Sequence, residues 1–132
     1  MSNKKLGNSF EAEFCDTLAD EGFWTHNMAQ NSDGQPADVI AVKNGEAYLI
    51  DCKVCSRDRF SFTRIEENQT LSMELWRECN NGDGWFALQF SDQVYMVTLE
   101  SLQNAMNSHM SLSREVVEEY GVPLGEWLWV RR

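Results

Sequence analysis

Asp38-Val39-Ile40-Ala41-Val42-Lys43-Asn44-Gly45-Glu46-Ala47-Tyr48-Leu49-Ile50-Asp51-Cys52-Lys53 is the stretch that decides the fold. Two strand-like runs flank Asn44-Gly45, the dipeptide best suited to the positive-φ positions of a two-residue hairpin turn. Such a turn fixes the register. Lys43 opposes Glu46, Val42 opposes Ala47, Ile40 opposes Leu49 and Asp38 opposes Asp51. Alternation then puts Asp38, Ile40, Val42, Ala47, Leu49, Asp51 and Lys53 on one face, and Val39, Ala41, Tyr48, Ile50 and Cys52 on the other. Both faces are mostly apolar, so the pair belongs in the middle of a sheet covered on both sides.

That register creates a conflict. Two carboxylates stand opposite each other, with Cβ atoms roughly 5 Å apart, on an otherwise apolar face. Burial makes like charges in such a position more costly still. A divalent cation between them resolves the conflict, since oxygen ligands suit Mg²⁺. Lys53 points the same way as Asp51 and reaches a water or phosphate oxygen nearby. Taken alone, Asp51-x-Lys53 also fits a plain surface alternation or a structural ion pair. What sets it apart is the company of Asp38, a register-fixing turn and a further acid, Glu11.

Glu11 comes from the segment upstream. A helix is expected from about Ser9 to Glu21, with Ser9 or Asn8 as N-cap and Gly22 as its stop. Phe10, Phe14 and Leu18 form its buried stripe, and Glu11 falls inside that stripe at 100° per residue. A short strand is expected over Phe23 to Met28, and Asn31 to Pro36 reads as a loop. Beyond the hairpin, a helix spans about Ile65 to Cys79, with Leu71, Leu75, Trp76 and Cys79 on its apolar side. Asn80 to Gly84 breaks it. Trp85 to Phe90 and Val94 to Leu99 read as strands. Helical segments follow near Glu100 to Met106 and Ser113 to Tyr120, then a Trp-rich tail. The pattern predicts an α/β sandwich with a mixed sheet.

The 132 residues predict one domain over the whole chain, 1–132. Apolar content of 42% and seven Phe, five Trp and three Tyr exclude wholesale disorder. No apolar run nears the roughly 20 residues of a membrane span, and the polar start carries no apolar signal core; a cytoplasmic protein is expected. The net charge of −10 excludes nucleic-acid binding by bulk charge, so any such grip comes from a local basic patch or bound metal. One patch exists. Lys53, Arg57, Arg59 and Arg64 lie within twelve residues holding one acid, Asp58, for a net +3 beside the carboxylates. Phe60 and Phe62 interleave them, at least one as a core residue. Cys52-Lys53-Val54-Cys55 raises a zinc or redox alternative, but no second paired ligand spacing accompanies it and Cys52 sits inside a strand. Reduced thiols packed in a core are expected.

Pro36-Ala37-Asp38, twelve residues, then Asp51-Cys52-Lys53 resembles the motif of the PD-(D/E)xK nuclease superfamily. The order of elements is similar to that superfamily's restriction-endonuclease-like α-β-β-β-α-β core. Within it, the chain most resembles Holliday junction resolvases of the Hjc and RecU type. Gly7-Asn8-Ser9-Phe10-Glu11 with Phe14, Leu18 and Gly22-Phe23 looks like their N-terminal helix. Arg59 to Ile65 and on to Asn68-Gln69 looks like the segment after the active-site Lys.

The resemblance implies a metal-dependent DNA endonuclease acting on branched DNA, with a flap, end or duplex nuclease, or a silent binding module, as alternatives. It implies Glu11, Asp38, Asp51 and the Cys52 backbone carbonyl as ligands of Mg²⁺, with Mn²⁺ able to substitute. Lys53 and Gln69 join them as catalytic residues. Lys53, Arg57, Arg59 and Arg64 are the expected DNA contacts. Symmetric cutting of a junction needs two active sites, hence an expected homodimer.

Overall fold

The protein is described by a computed structural model covering residues 3–28 and 37–132. The expected loop at 31–36, with Pro36 of the Pro-Ala-Asp motif, lies outside the described residues. The chain runs α1 (Asn3–Asp20), β1 (Trp24–Asn27), β2 (Val39–Lys43), β3 (Glu46–Cys55), β4 (Arg59–Ser61), α2 (Glu67–Glu78), β5 (Trp85–Phe90), β6 (Gln93–Thr98), α3 (Leu99–Met106), β7 (Ser111–Ser113), α4 (Arg114–Tyr120), β8 (Val122–Pro123) and α5 (Leu124–Val130). The expected α-β-β-β-α-β order is present. Six strands form one sheet in the order β1-β2-β3-β5-β6-β8, and β4 pairs with β7 apart from it. The sheet is mixed, because β3 and β5 run parallel while the other pairs are antiparallel. Among the described residues, no helix is long and apolar enough to cross a membrane.

The hairpin register is the expected one from Lys43↔Glu46 to Val39↔Ile50. Asn44 and Gly45 both take positive φ, at 53° and 77°. The ladder ends one pair before Asp38 and Asp51. The Asp38 amide donates to the Ile50 carbonyl at 3.1 Å, so Asp38 slips out of register and is not Asp51's ladder partner. Each face has its own core. Phe10, Phe14 and Leu18 of α1 pack on Val39, Ala41, Ile50 and Cys52, with Trp127 of α5. Leu49, Met73, Phe86, Leu88 and Leu102 build the other face. Trp127 is enclosed by Phe23, Tyr48 and Trp85, and the Arg131 guanidinium lies 4.0 Å over its ring.

Helix α1 begins at Asn3, well before the expected Ser9, so Asn8 and Ser9 are interior residues rather than caps. Its end is as expected. Gly22 (φ +92°) closes a Schellman motif in which Phe23 N donates to Leu18 O and Gly22 N to Ala19 O. Helix α2 differs more. Leu71, Leu75 and Cys79 face solvent, and the buried residues are Gln69 and Met73, with Trp76 partly covered.

Gly84, just before β5, is a tight spot. A Cβ there would overlap Cγ and Sδ of the buried Met73. Gly84→Ala should therefore lower stability by about 1–3 kcal/mol, read as a reduced melting temperature. An unchanged melting temperature would show that Met73 repacks freely.

Candidate active site

The hairpin and α1 bring the acidic residues together from both sides of the sheet's end. Asp38, just before β2, turns its carboxylate onto β3, where Oδ2 accepts the Cys52 amide at 2.8 Å. Its carboxyl group also interacts electrostatically with those of Glu11 and Asp51, raising the pKa of each. Asp38 is thus the link between an acid on α1 and an acid on β3. Glu11, Asp38 and Asp51 are all buried, Asp51 with no exposure at all.

Lys53 follows Asp51 on the same face, and its Nζ lies 2.9 Å from Asp51 Oδ2. Among the described residues that oxygen has no hydrogen-bond partner, and it is met by the Lys53 ammonium. Gln69, in the first turn of α2, donates Nε2 to Asp51 Oδ1 at 2.9 Å. Its Oε1 accepts from Lys53 Nζ at 3.5 Å and from the Glu66 backbone N–H at 3.4 Å. The helix start therefore locks one amide against both the acid and the base. Glu66 was not singled out from the sequence. The Glu66-x-x-Gln69 spacing, with Gln69 reaching back to the N-cap backbone, is the signal that finds it.

Among the described residues Lys53 is the cation that lowers the Glu11 and Asp51 pKa values, against burial and the neighbouring Asp38 charge. Burial, then the Asp38 charge and hydrogen bond, raise Glu11 from 4.5 to about 7. Burial and Asp38 raise Asp51 well above the usual carboxylate range, outweighing Lys53. The folded state holds the Glu11 proton more tightly than the unfolded chain does. Stability therefore falls as pH rises from 4.5 to about 7. Glu11→Gln should remove part of that decline in thermal melts of metal-free protein. A slope identical to wild type would place the proton elsewhere.

Among the described residues, no three carboxylate, imidazole or thiol groups are spaced to hold an ion as the side chains stand. The donor set nonetheless fits a hard cation: buried carboxyl groups crowded by their own repulsion, and an Asp51 oxygen that has no hydrogen bond and faces a lysine. The backbone of Cys52 lies between the two aspartates, its amide already taken by Asp38.

The basic segment beyond β3 is less uniform than expected. Arg57 and Arg59 are exposed, Arg57 at φ +61° beside a cleft of about 380 Å³ that also includes Gln89 and Ser91. Arg59 donates Nη1 to Ser111 Oγ at 2.8 Å. Arg64 is turned inward, donating Nη1 to the Val54 carbonyl at 2.7 Å with its guanidinium over the Phe60 ring. Phe60 is fully buried and Phe62 packs partly against the same core. Cys52 and Cys55 project to opposite faces of β3 and enter different cores. Burial pushes the Cys55 thiol up to about 12 and Cys52 higher than its ordinary value, so neither is a reactive thiolate.

A family model described as archaeal Holliday junction resolvase (Hjc) matches residues 2–131. The crossover junction endodeoxyribonuclease Hjc of Methanocaldococcus jannaschii is 25% identical over 93 residues, 70% of this chain and 65% of that protein. The match thus spans just under two thirds of that relative's length. Among solved structures, the Holliday junction resolvase Hjc of Archaeoglobus fulgidus superposes with a TM-score of 0.71 at 14% identity, covering 94% of this chain and 99% of that one. At that identity the likeness is one of fold.

Proposed function

This chain belongs to the archaeal Holliday junction resolvase (Hjc) family, and on that premise we propose that it is a structure-selective DNA endonuclease hydrolysing phosphodiester bonds in branched DNA. The observation that carries the reading is the buried line Glu11–Asp38–Asp51 with Lys53 and Gln69 at its end. Folding does not need three like groups there, and a phosphodiesterase does.

Asp38, Asp51 and Glu11, with the Cys52 carbonyl, are the residues that would hold Mg²⁺, or Mn²⁺ in its place. The ion, when bound, supplies charge neutralisation at the phosphoryl oxygen and a more acidic water. Glu11 gives up its proton when the ligand set ionises, and its value near 7 makes that step inexpensive at neutral pH. Lys53 places a positive charge where negative charge develops in the transition state. Gln69 holds Lys53 and Asp51 in one orientation. Arg57 and Arg59 take backbone phosphates beside the site, where a guanidinium fork suits them.

We assign the whole chain, 1–132, to one nuclease domain working as a homodimer, since paired symmetric cuts need two sites. The exposed Leu71 and Leu75 of α2 offer apolar surface for such contact. The test is a panel of four-way junction, flap, duplex and single-stranded DNA with Mg²⁺. Paired, symmetric nicks on the junction are expected. Cleavage confined to flaps or duplex ends would keep the chemistry and move the substrate. No cleavage of any member would overturn the reading.

A further inference from the structure

The sheet carries a second aromatic surface on the face that presents Asp51 and Lys53. Trp24 and His26 project from β1, the outermost strand. Trp24 opposes Val42, which opposes Ala47; His26 opposes Ile40, which opposes Leu49. Direct partners in antiparallel ladders share a face, so all of these lie with Asp51 and Lys53 and away from α1, which packs on Val39 and Ala41. Trp24 is 62% exposed, and its ring stacks on that of His26 at 14° and 6.2 Å. Ile40, Val42 and Ala47 between them and the site are only half-buried. Among the described strand positions that share this face as a strip, Trp24, His26, Ile40, Val42, Ala47 and Leu49, none is a carboxylate before Asp51, in a chain of net charge −10.

We infer that Trp24 and His26 form a stacking platform for unpaired nucleobases of the strand that passes the Asp51–Lys53 site. The inference rests on the nuclease reading above. With strand spacing and rise, the two residues stand about 16 and 12 Å from Asp51. That is within a few nucleotides of the site along an opened strand. An exposed indole serves any base, because every base offers a π-face. The uncharged strand positions beside the platform put no like charge in the way of a polyanion, in a chain whose net charge repels one. The platform therefore favours DNA opened next to the cut over continuous duplex.

Fluorescence anisotropy with a labelled oligothymidylate and a blunt duplex of equal length tests this. Trp24→Ala should weaken single-strand binding about 5- to 100-fold, leave duplex binding nearly unchanged, and be rescued by Trp24→Phe. Trp24 is exposed, so the variant should keep the wild-type melting temperature. If wild type cuts branched DNA and Trp24→Ala binds the oligonucleotide equally well, the platform is wrong and the nuclease reading stands. Equal losses on both probes also overturn it. So does a dimer that Trp24→Ala splits in light scattering, which would assign the strip to a second copy. A wild-type protein that binds and cuts no nucleic acid overturns both.

Discussion

Lys53→Ala should slow junction cleavage by about 10²–10³-fold or more, the usual cost of removing one preorganised charge from a transition state, while divalent-ion binding persists. Lys53 pairs with the fully buried Asp51, its Nζ 2.9 Å from Oδ2. In the structure that cation partly offsets Asp51; on the proposed mechanism it would serve the phosphate. Losing it removes the electrostatic help and leaves the carboxylate set intact. Single-turnover cleavage of a four-way junction, paired with a calorimetric Mn²⁺ titration, separates the two effects. Cys55→Ser is the control. Cys55 faces the opposite core from Cys52 and is held protonated by burial, so its loss should leave the rate nearly unchanged. A rate that collapses with Cys55→Ser and survives Lys53→Ala would reassign the chemistry to the thiol.

Asp51→Asn should have two opposite effects. Its carboxyl has no solvent exposure and is raised by burial and by Asp38 beyond what Lys53 offsets. Ionised Asp51 is therefore a net cost to the fold at neutral pH, and a neutral amide of the same shape relieves it. The metal-free variant should melt higher than wild type above neutral pH. It should also lose cleavage and most of the divalent-induced rise in melting temperature, which in the wild type should amount to several degrees through linkage. A variant that melts lower than wild type in EDTA would mean that the Lys53–Asp51 pair, and not carboxylate repulsion, dominates this site.

The hairpin and its flanking strands were legible because Asn44-Gly45 admits few turns and strict alternation leaves one register. The element order followed, and with it the meeting of Glu11, Asp38, Asp51, Lys53 and Gln69. The face of α2 was not legible. Leu71, Leu75 and Cys79 repeat at i, i+4 and i+8, while Gln69, Met73 and Trp76 repeat almost as well. Periodicity does not choose between two such stripes. Gln69 wins the buried side because Asp51 and Lys53 satisfy its amide there, a partnership formed across 16 to 18 residues. Asp38 posed a subtler difficulty. A ladder partner of Asp51 was expected, yet its backbone slips one residue and its side chain caps the Cys52 amide instead. The carboxylates still meet, by a route that strand alternation does not contain. Arg64 read as part of a basic patch, but the Val54 carbonyl and the Phe60 ring draw it inward. The early start of α1 was hidden by Gly7 and Asn8, whose low helix propensity costs only about 1 kcal/mol or less per residue and is overridden by the packed helix that follows.

The central claim is that three buried acids are held together for a divalent cation. Isothermal titration of Mn²⁺ into the metal-free protein tests it most directly, with Asp38→Asn and Asp51→Asn beside the wild type. Saturable binding at millimolar metal or below, lost or greatly weakened in both variants, is the predicted result. Absence of binding to the wild type, or equal binding to all three proteins, would contradict it.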